Sequence, residues 1–358
     1  MPFEIVRNDI VNMQVDAIVN TANPEPIIGY GVDAGIHKKA GPALLEARKK
    51  IGRIGVGEVA ITPGFQLDAR YVIHAVGPVW QDGNHNEETY LRQCYDRALR
   101  IAWENRCESI AFPLLATGNY GFPKPLALQT AIRAFSSFLM AHEMQIYLVV
   151  FSRSAFELSE KLFRGVESYI DENYIREKTL DEYGIESGAD VRDAELEQIR
   201  RRRNLQSHLR LDKVFEDCMP CHSAAMGAIT PESVAKNLDD LLAKTDAGFS
   251  ETLLKLIDKT GKKDSDIYKK ANVDRKLFSK IRNNPAYKPS KMTAIAFALA
   301  LELDLEETQN FIGRAGYTLS HSSKFDIIIE YFIRQKNYDV FEIDAVLFQY
   351  DQPLIGGE

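Results

Sequence analysis

Cysteine is scarce in this chain: four residues in 358, namely Cys94, Cys107, Cys218 and Cys221. The opening residues also lack the basic start and apolar core of an export signal. Both absences argue for reduced thiols in the cytoplasm rather than a disulfide frame. Long apolar runs are missing, and no stretch approaches the ~20 residues that a bilayer span needs, so no membrane contact is expected. There is no internal repeat and no low-complexity tract. An excess of positive charge is missing too. The formal net charge of −7 excludes a generally basic nucleic-acid binder, although it averages over regions that differ. What remains is ordinary for a soluble globular protein, with 45% hydrophobic and 27% charged residues. The length is too great for one ordinary core and predicts two domains.

Strand and helix patterns alternate through the first part of the chain. EIVRNDI, DAIVNTA, EVAIT, RYVIHAV, SIAFPLLAT and IYLVVF read as strands. Helical spacing of apolar residues is expected over 32–50, 86–105, 126–140 and 156–170. Near-continuous apolar strands separated by helices predict a mostly parallel central sheet covered on both faces, a three-layer α/β/α domain. From about residue 173 to 225 charge is dense and apolar periodicity weakens, which reads as a connector. Residues 226–358 are helical in pattern without clear strands, an all-α domain. SETLLKLIDKTG is stopped by Gly261, and SDIYKKANVDRKLFSKIRNN is two short helices broken at Asn272–Val273. Further helices are expected over 290–303, 305–314, 322–336 and 338–348.

Two loops carry the chemistry. Residues 19–41, VNTANPEPIIGYGVDAGIHKKAG, place Gly29, Gly31 and Gly35 around the entry to a helix, after an apolar strand. Glycine lets backbone N–H groups approach an anion closely, and a helix start adds free donors and a positive dipole end. A second loop, ATGNYGFPKP, follows SIAFPLL and precedes another helix, offering Thr117, Gly118, Gly121 and the aromatic pair Tyr120 and Phe122. Two such loops after parallel strands should face each other across the carboxyl edge of the sheet, where ligands bind in open α/β folds. Two phosphate-gripping loops suit a diphosphate, and the aromatics suit a sugar or base.

VNTAN, GYGVDAGIH, GEVAITPG, YVIHAVGP and ATGNYGFP, in this order, resemble the macro domain family, the ADP-ribose-binding fold, over residues 1–172. The VDAGIH segment is most similar to the MacroD-type branch, whose members hydrolyse mono-ADP-ribose from protein side chains and deacetylate O-acetyl-ADP-ribose. The resemblance implies that Asp9 holds the adenine amino group and Ile10 borders the ring. It implies that Asn20 and Asn23 are the asparagines of the family's motif, with Asn23 near the distal ribose. Gly29, Tyr30, Gly31 and Val32 fall on the first phosphate loop. Thr117, Gly118, Asn119, Tyr120, Gly121 and Phe122 fall on the second, and Phe151 on the adenine. Asp33 takes the position needed for hydrolysis, and His37, one helical turn later, lies on the same side. Asp33, Asn23 and His37 are therefore the expected catalytic residues. Ile28, Tyr30 and Asn119 depart from the family's usual residues and bear on substrate choice.

Residues 255–291 hold twelve Lys or Arg against four Asp, so 12 − 4 gives +8. DSDIYKKANVDRKLFSKIRNN with the following helix resembles the helix-turn-helix of Xre-type regulators, whose second helix enters the major groove. Here that helix would expose Arg275, Lys276, Ser279, Lys280 and Arg282 to duplex DNA, or the fold would serve as a contact for a protein partner. CMPCH, residues 218–222, has the spacing of covalent haem attachment, but that chemistry needs export. A zinc site of Cys218, Cys221 and His222 has only His208 as a candidate fourth ligand. Reduced cysteines in a connector are the expected reading, with no metal and no cofactor. The expected function is ADP-ribose binding with hydrolysis of mono-ADP-ribose from modified protein, or of O-acetyl-ADP-ribose, targeted by the helical part. The alternative is a sensor of an NAD-derived nucleotide that regulates transcription without turnover. A further reading gives Arg200–Arg203 an RNA or poly-ADP-ribose contact.

Overall fold

A computed structural model of the chain describes residues 2–151, 165–170 and 247–355. The connector, with Arg200–Arg203, His208 and the CMPCH run, lies outside the described residues. In chain order the first part comprises β1 (Phe3–Arg7), a 3-10 turn (Ile10–Asn12), β2 (Ala17–Thr21), α1 (Val32–Ala40), α2 (Pro42–Ile51), β3 (Val59–Pro63), β4 (Tyr71–Ala75), α3 (Glu87–Glu104), β5 (Ser109–Pro113), α4 (Lys124–Ala141) and β6 (Gln145–Val150). The sheet order is β1-β6-β5-β2-β4-β3. Only the β3–β4 pair is antiparallel.

Alternation along the strands sorts side chains onto two faces. Ile18, Val72, Ala111 and Val149 pack with Ile36, Ala40 and Leu44 of α1 and α2. Ala17, Val19, Ile73, Phe112 and Leu148 pack with Tyr95 and Leu99 of α3 and Phe135 of α4. These are the three layers that the apolar strands predict. The single helix expected over 32–50 is instead two. The chain turns at Gly41, where φ is +82°, and Pro42 opens α2. Proline suits that first-turn position because its missing N–H has no helical partner there.

The helical part contains α5 (Phe249–Thr260), α6 (Asp264–Lys270), α7 (Arg275–Asn283), α8 (Lys291–Ala300), α9 (Leu305–Gly313), α10 (Lys324–Arg334) and α11 (Val340–Gln349). α8 is its axis, with every residue from Thr293 to Ala300 buried. Side-chain caps start α7 and α9: Asp274 accepts from Leu277 N, and Asp304 with Glu307 forms a capping box. The break between α6 and α7 falls where the sequence places it.

Met1–Tyr174 and Ala247–Glu358 form one compact unit, with a continuous apolar core. Its seam is at β1, the edge strand. α11 packs on β1 and α4. The Phe3 ring meets Phe341 edge-on, with centroids 5.1 Å apart. Asn272 is fully buried and completes the strand: Phe3 N donates to its Oδ1 at 2.9 Å and its Nδ2 donates to Phe3 O at 2.9 Å. A single side-chain amide thus satisfies both outward backbone groups of one edge residue. Tyr268 donates to Glu143 at 3.3 Å, and Lys269 to Met140 O at 3.1 Å. No helix among the described residues is long and apolar enough to cross a membrane.

Candidate active site

The carboxyl ends of β2 and β5 release two loops onto the same edge of the sheet. Tyr120 on the second loop reaches Asn23 on the first, its hydroxyl donating to Oδ1 at 3.4 Å. The loops therefore face each other. Added Cβ atoms at Gly31, Gly118 and Gly121 would meet nothing within 4 Å, so open space borders both. Gly31 precedes α1 with φ +64° and no side-chain cap, which leaves the first N–H groups of the helix available to an anion.

Behind the first loop lies a buried polar cluster. Asp33, in the first turn of α1, is 2% exposed. Its Oδ1 accepts from Asn20 Nδ2 at 2.5 Å and its Oδ2 accepts from Gly29 N at 2.5 Å. His37 Nε2 lies 3.5 Å from Asp33 Oδ1. Burial pulls His37 below the usual histidine range against the attraction of Asp33, and Arg48 adds to the lowering, so the ring is held toward its neutral form. A Cβ at Gly29 would lie 2.8 Å from Asn23 Nδ2 and 3.3 Å from Asp33 Oδ2. A side chain at Gly29 would force Asn23 or Asp33 to shift. Burial, with the Asp33 carboxylate adding, raises the Tyr120 hydroxyl above its ordinary pKa.

A macro domain model matches residues 19–131, which contain both loops and the cluster behind the first. A macro domain-containing protein of Lactiplantibacillus plantarum is 45% identical over 149 residues, covering 41% of this chain and 87% of that protein. The chain belongs to the macro domain family. Another relative, named O-acetyl-ADP-ribose deacetylase, from Escherichia fergusonii, is 43% identical over 164 residues, 44% of this chain and 93% of its own. A solved Oceanobacillus iheyensis macrodomain with ADP is 38% identical over 43% of this chain and 85% of that one, with a TM-score of 0.41.

Within this macro domain, Asn20, Asn23, Gly29, Asp33, His37 and Tyr120 form one connected group. Other expected site residues have different surroundings. Asp9 caps the 3-10 turn, accepting from Val11 N at 3.1 Å, while the Ile10 side chain is buried in the core on the α1 side. Val32 packs partly against that same core. Thr117 spends its hydroxyl proton on Leu114 O at 2.9 Å, and Asn119 is exposed. Phe122 is not an open wall of the cleft. Its ring is buried against Trp80, with centroids 4.8 Å apart, and it anchors the loop from beneath. Tyr30 and Phe151 stand in solvent, 84% and 76% exposed.

Three further residues, Arg48, His74 and Thr62, support the cluster without a local signal in the sequence. Arg48 sits in ARKK, which resembles a solvated basic face, yet it is buried. Its guanidinium donates to Asn23 O at 3.1 Å, Pro24 O at 2.9 Å and Gly52 O, and so fixes the backbone that carries Asn23. His74 and Thr62 lie in β4 and β3 and are buried behind Asn20.

Among the described residues, one group of side chains is close enough to share a metal ion: Asp82, His85 and Glu87. Backbone already accounts for its buried member. Glu87 Oε1 accepts from Gln81, Asp82 and Gly83 N, and Oε2 accepts from His85 N at 2.6 Å. Burial opposes the charge, but these donors hold the carboxyl down at about 2. Glu87 is the hub of a folded loop.

In the helical part, Leu277, Phe278 and Ile281 bury one face of α7. Arg275, Lys276, Ser279, Lys280 and Arg282 are exposed on the other side, Arg282 paired with Asp264. Arg275 also lines a crevice of about 760 Å³ at the opposite end of the sheet, with Trp103 and His142.

Proposed function

We propose that the cleft binds ADP-ribose and that the protein hydrolyses esters of it, with O-acetyl-ADP-ribose as the small substrate and ADP-ribosylated carboxylate side chains as the protein substrate. The observation that carries this reading is the convergence of Asn23, Gly29 and Asp33 at the start of α1, facing the Tyr120 loop across open space. The backbone N–H groups at both loops suit a diphosphate. Asn23, held by Arg48 and Tyr120, suits a ribose hydroxyl and supplies positional catalysis. Asp33 Oδ1 faces both Asn20 Nδ2 and His37 Nε2, whereas Oδ2 accepts only from Gly29 N and retains an acceptor site for the attacking water. Water adds to the ester carbonyl, the bond to the ribose oxygen breaks, and the proton passes to that oxygen, giving ADP-ribose and the free acid. The relatives named O-acetyl-ADP-ribose deacetylase support the same chemistry. The test is release of acetate from O-acetyl-ADP-ribose by the full chain. Steady multiple turnover supports the reading. ADP-ribose binding without acetate release would leave a non-catalytic sensor, which the deep burial of Asp33 favours.

For the helical part the proposed partner is duplex DNA along α7. Arg275, Lys276 and Lys280 point away from the core, and no ion pair among the described residues engages them. Contacts of lysine and arginine with phosphate release counterions, so affinity should fall with salt by about 0.9 log units per log unit of salt for each phosphate neutralised. Fluorescence anisotropy of a labelled duplex across a salt series checks this. A slope of about 2.7 in magnitude is expected if each of these three cations neutralises one phosphate. A flat, weak response would assign the face to a protein partner.

A further inference from the structure

His74 touches neither loop, yet it is fully buried and directly coupled to the cluster. Strand register sets it beside Asn20 of β2. Its Nδ1 lies 3.2 Å from Asn20 Nδ2, and its Nε2 lies 3.0 Å from Thr62 Oγ1. The protonation pattern follows from the partners. The Asp33 carboxylate only accepts, so the NH₂ end of the Asn20 amide has to face it. That same NH₂ group meets His74 Nδ1, which must then be the acceptor. The proton of the ring sits on Nε2 and is donated to Thr62. One Asn20 N–H goes to His74 and the other to Asp33 Oδ1, so the amide cannot turn over without losing both.

We propose that His74, as its neutral Nε2–H tautomer, is a positioning residue that fixes Asn20 and, through it, the orientation of the Asp33 carboxylate. The inference rests on the reading of Asp33 as the group that orients water. A protonated ring would aim an N–H at the Asn20 NH₂ and break the chain at its middle bond. The environment opposes that: burial, with Arg48 and His37 adding, pulls His74 down to about 3. Thr62, 4% exposed on β3, gives the ring its second fixed point. Asp33 in turn holds Gly29 N, so the chain runs from the sheet interior to the phosphate loop.

Two substitutions in the full-length protein separate the two ends of the ring. His74→Asn keeps an acceptor at the Nδ1 place and loses the bond to Thr62. His74→Gln keeps a polar group at the Nε2 place and loses the bond to Asn20. Misplacing a reacting group by about 1 Å costs about 100-fold in rate. For His74→Gln, kcat for acetate release should therefore fall about 10- to 100-fold, with calorimetric affinity for ADP-ribose kept, while His74→Asn retains most of the wild-type rate. Exchange of the Gly29 amide hydrogen should quicken in His74→Gln and stay slow in His74→Asn. The imidazole ¹⁵N spectrum of the wild type should report the Nε2–H tautomer. Equal rates in the two variants, a joint fall of kcat and affinity in both, or an Nδ1–H tautomer would overturn the proposal. If the wild-type protein releases no acetate, the ester-hydrolase reading fails by itself. The Gly29 exchange rate then decides the positioning role alone, and unchanged protection in His74→Gln overturns it.

Discussion

Asp33→Ala should lower acetate release from O-acetyl-ADP-ribose by about 100-fold or more, the range for removing a group that handles the transferred proton. Two effects combine. The substitution removes the acceptor proposed for the attacking water. It also strips Gly29 N and Asn20 Nδ2 of their shared partner, leaving one donor buried and one part-buried. The buried orphan at Asn20 costs about 1–3 kcal/mol, and the part-buried one less. The protein should therefore melt lower as well as turn over slowly. Asp33→Asn separates the contributions. It preserves volume and one acceptor, so most of the stability should return, while one of its two atoms now opposes a donor instead of accepting from it. Turnover in Asp33→Asn that equals the wild type would show that the carboxylate serves the loop and not the reaction. Initial-rate assays beside thermal melts of both variants check this.

Asn272→Ala should destabilise the macro domain although it lies 269 residues from Phe3. The substitution leaves Phe3 N and Phe3 O unpaired beneath α11, at about 1–3 kcal/mol each. A loss of about 2–5 kcal/mol is a large share of the roughly 5–15 kcal/mol that holds an ordinary domain together. Alanine gives back little, because φ is +54° at this position and asparagine tolerates the left-handed region better. Since the core is continuous across the seam, unfolding in denaturant should be one transition by both far-ultraviolet dichroism and tryptophan fluorescence. Both tryptophans, Trp80 and Trp103, lie in the first part, whereas helices of both parts contribute to the dichroism. Two separate transitions, with fluorescence unmoved by Asn272→Ala, would mean that the helical part is an appendage.

The sheet and the two loops were legible in the sequence because their signals are local. β2, AIVNT, is apolar up to its polar end, and the glycines of the first loop come just before the next helix, α1. A helix start after such a strand has few other meanings. Asp33 and His37 are four residues apart on a helix, so their nearness followed from the helical repeat. What lay beyond reach was lateral. β4 reads YVIHA, and alternation says only that His74 points to one face. It does not say that Asn20 stands beside it or Thr62 behind it. Arg48 follows the same logic: a basic residue in a basic run becomes internal only because three carbonyls from two loop ends converge on it. Asn272 marked a helix break correctly, but its second role, completing a distant strand, depends on tertiary pairing. Apolar periodicity nearly continues across Gly41 and Pro42, which is why the sequence suggests one helix over 32–50, while the backbone turns there.

Binding of ADP-ribose is the premise of the proposed hydrolysis. Calorimetric titration of the full chain with ADP-ribose, alongside its melting temperature, should give saturable one-to-one heat and stabilisation of about 2.7 kcal/mol when the ligand reaches about a hundred times its Kd. No heat and an unmoved melting temperature at millimolar ADP-ribose would contradict a diphosphate-binding cleft, and with it the roles given to Asn23, Asp33 and His74.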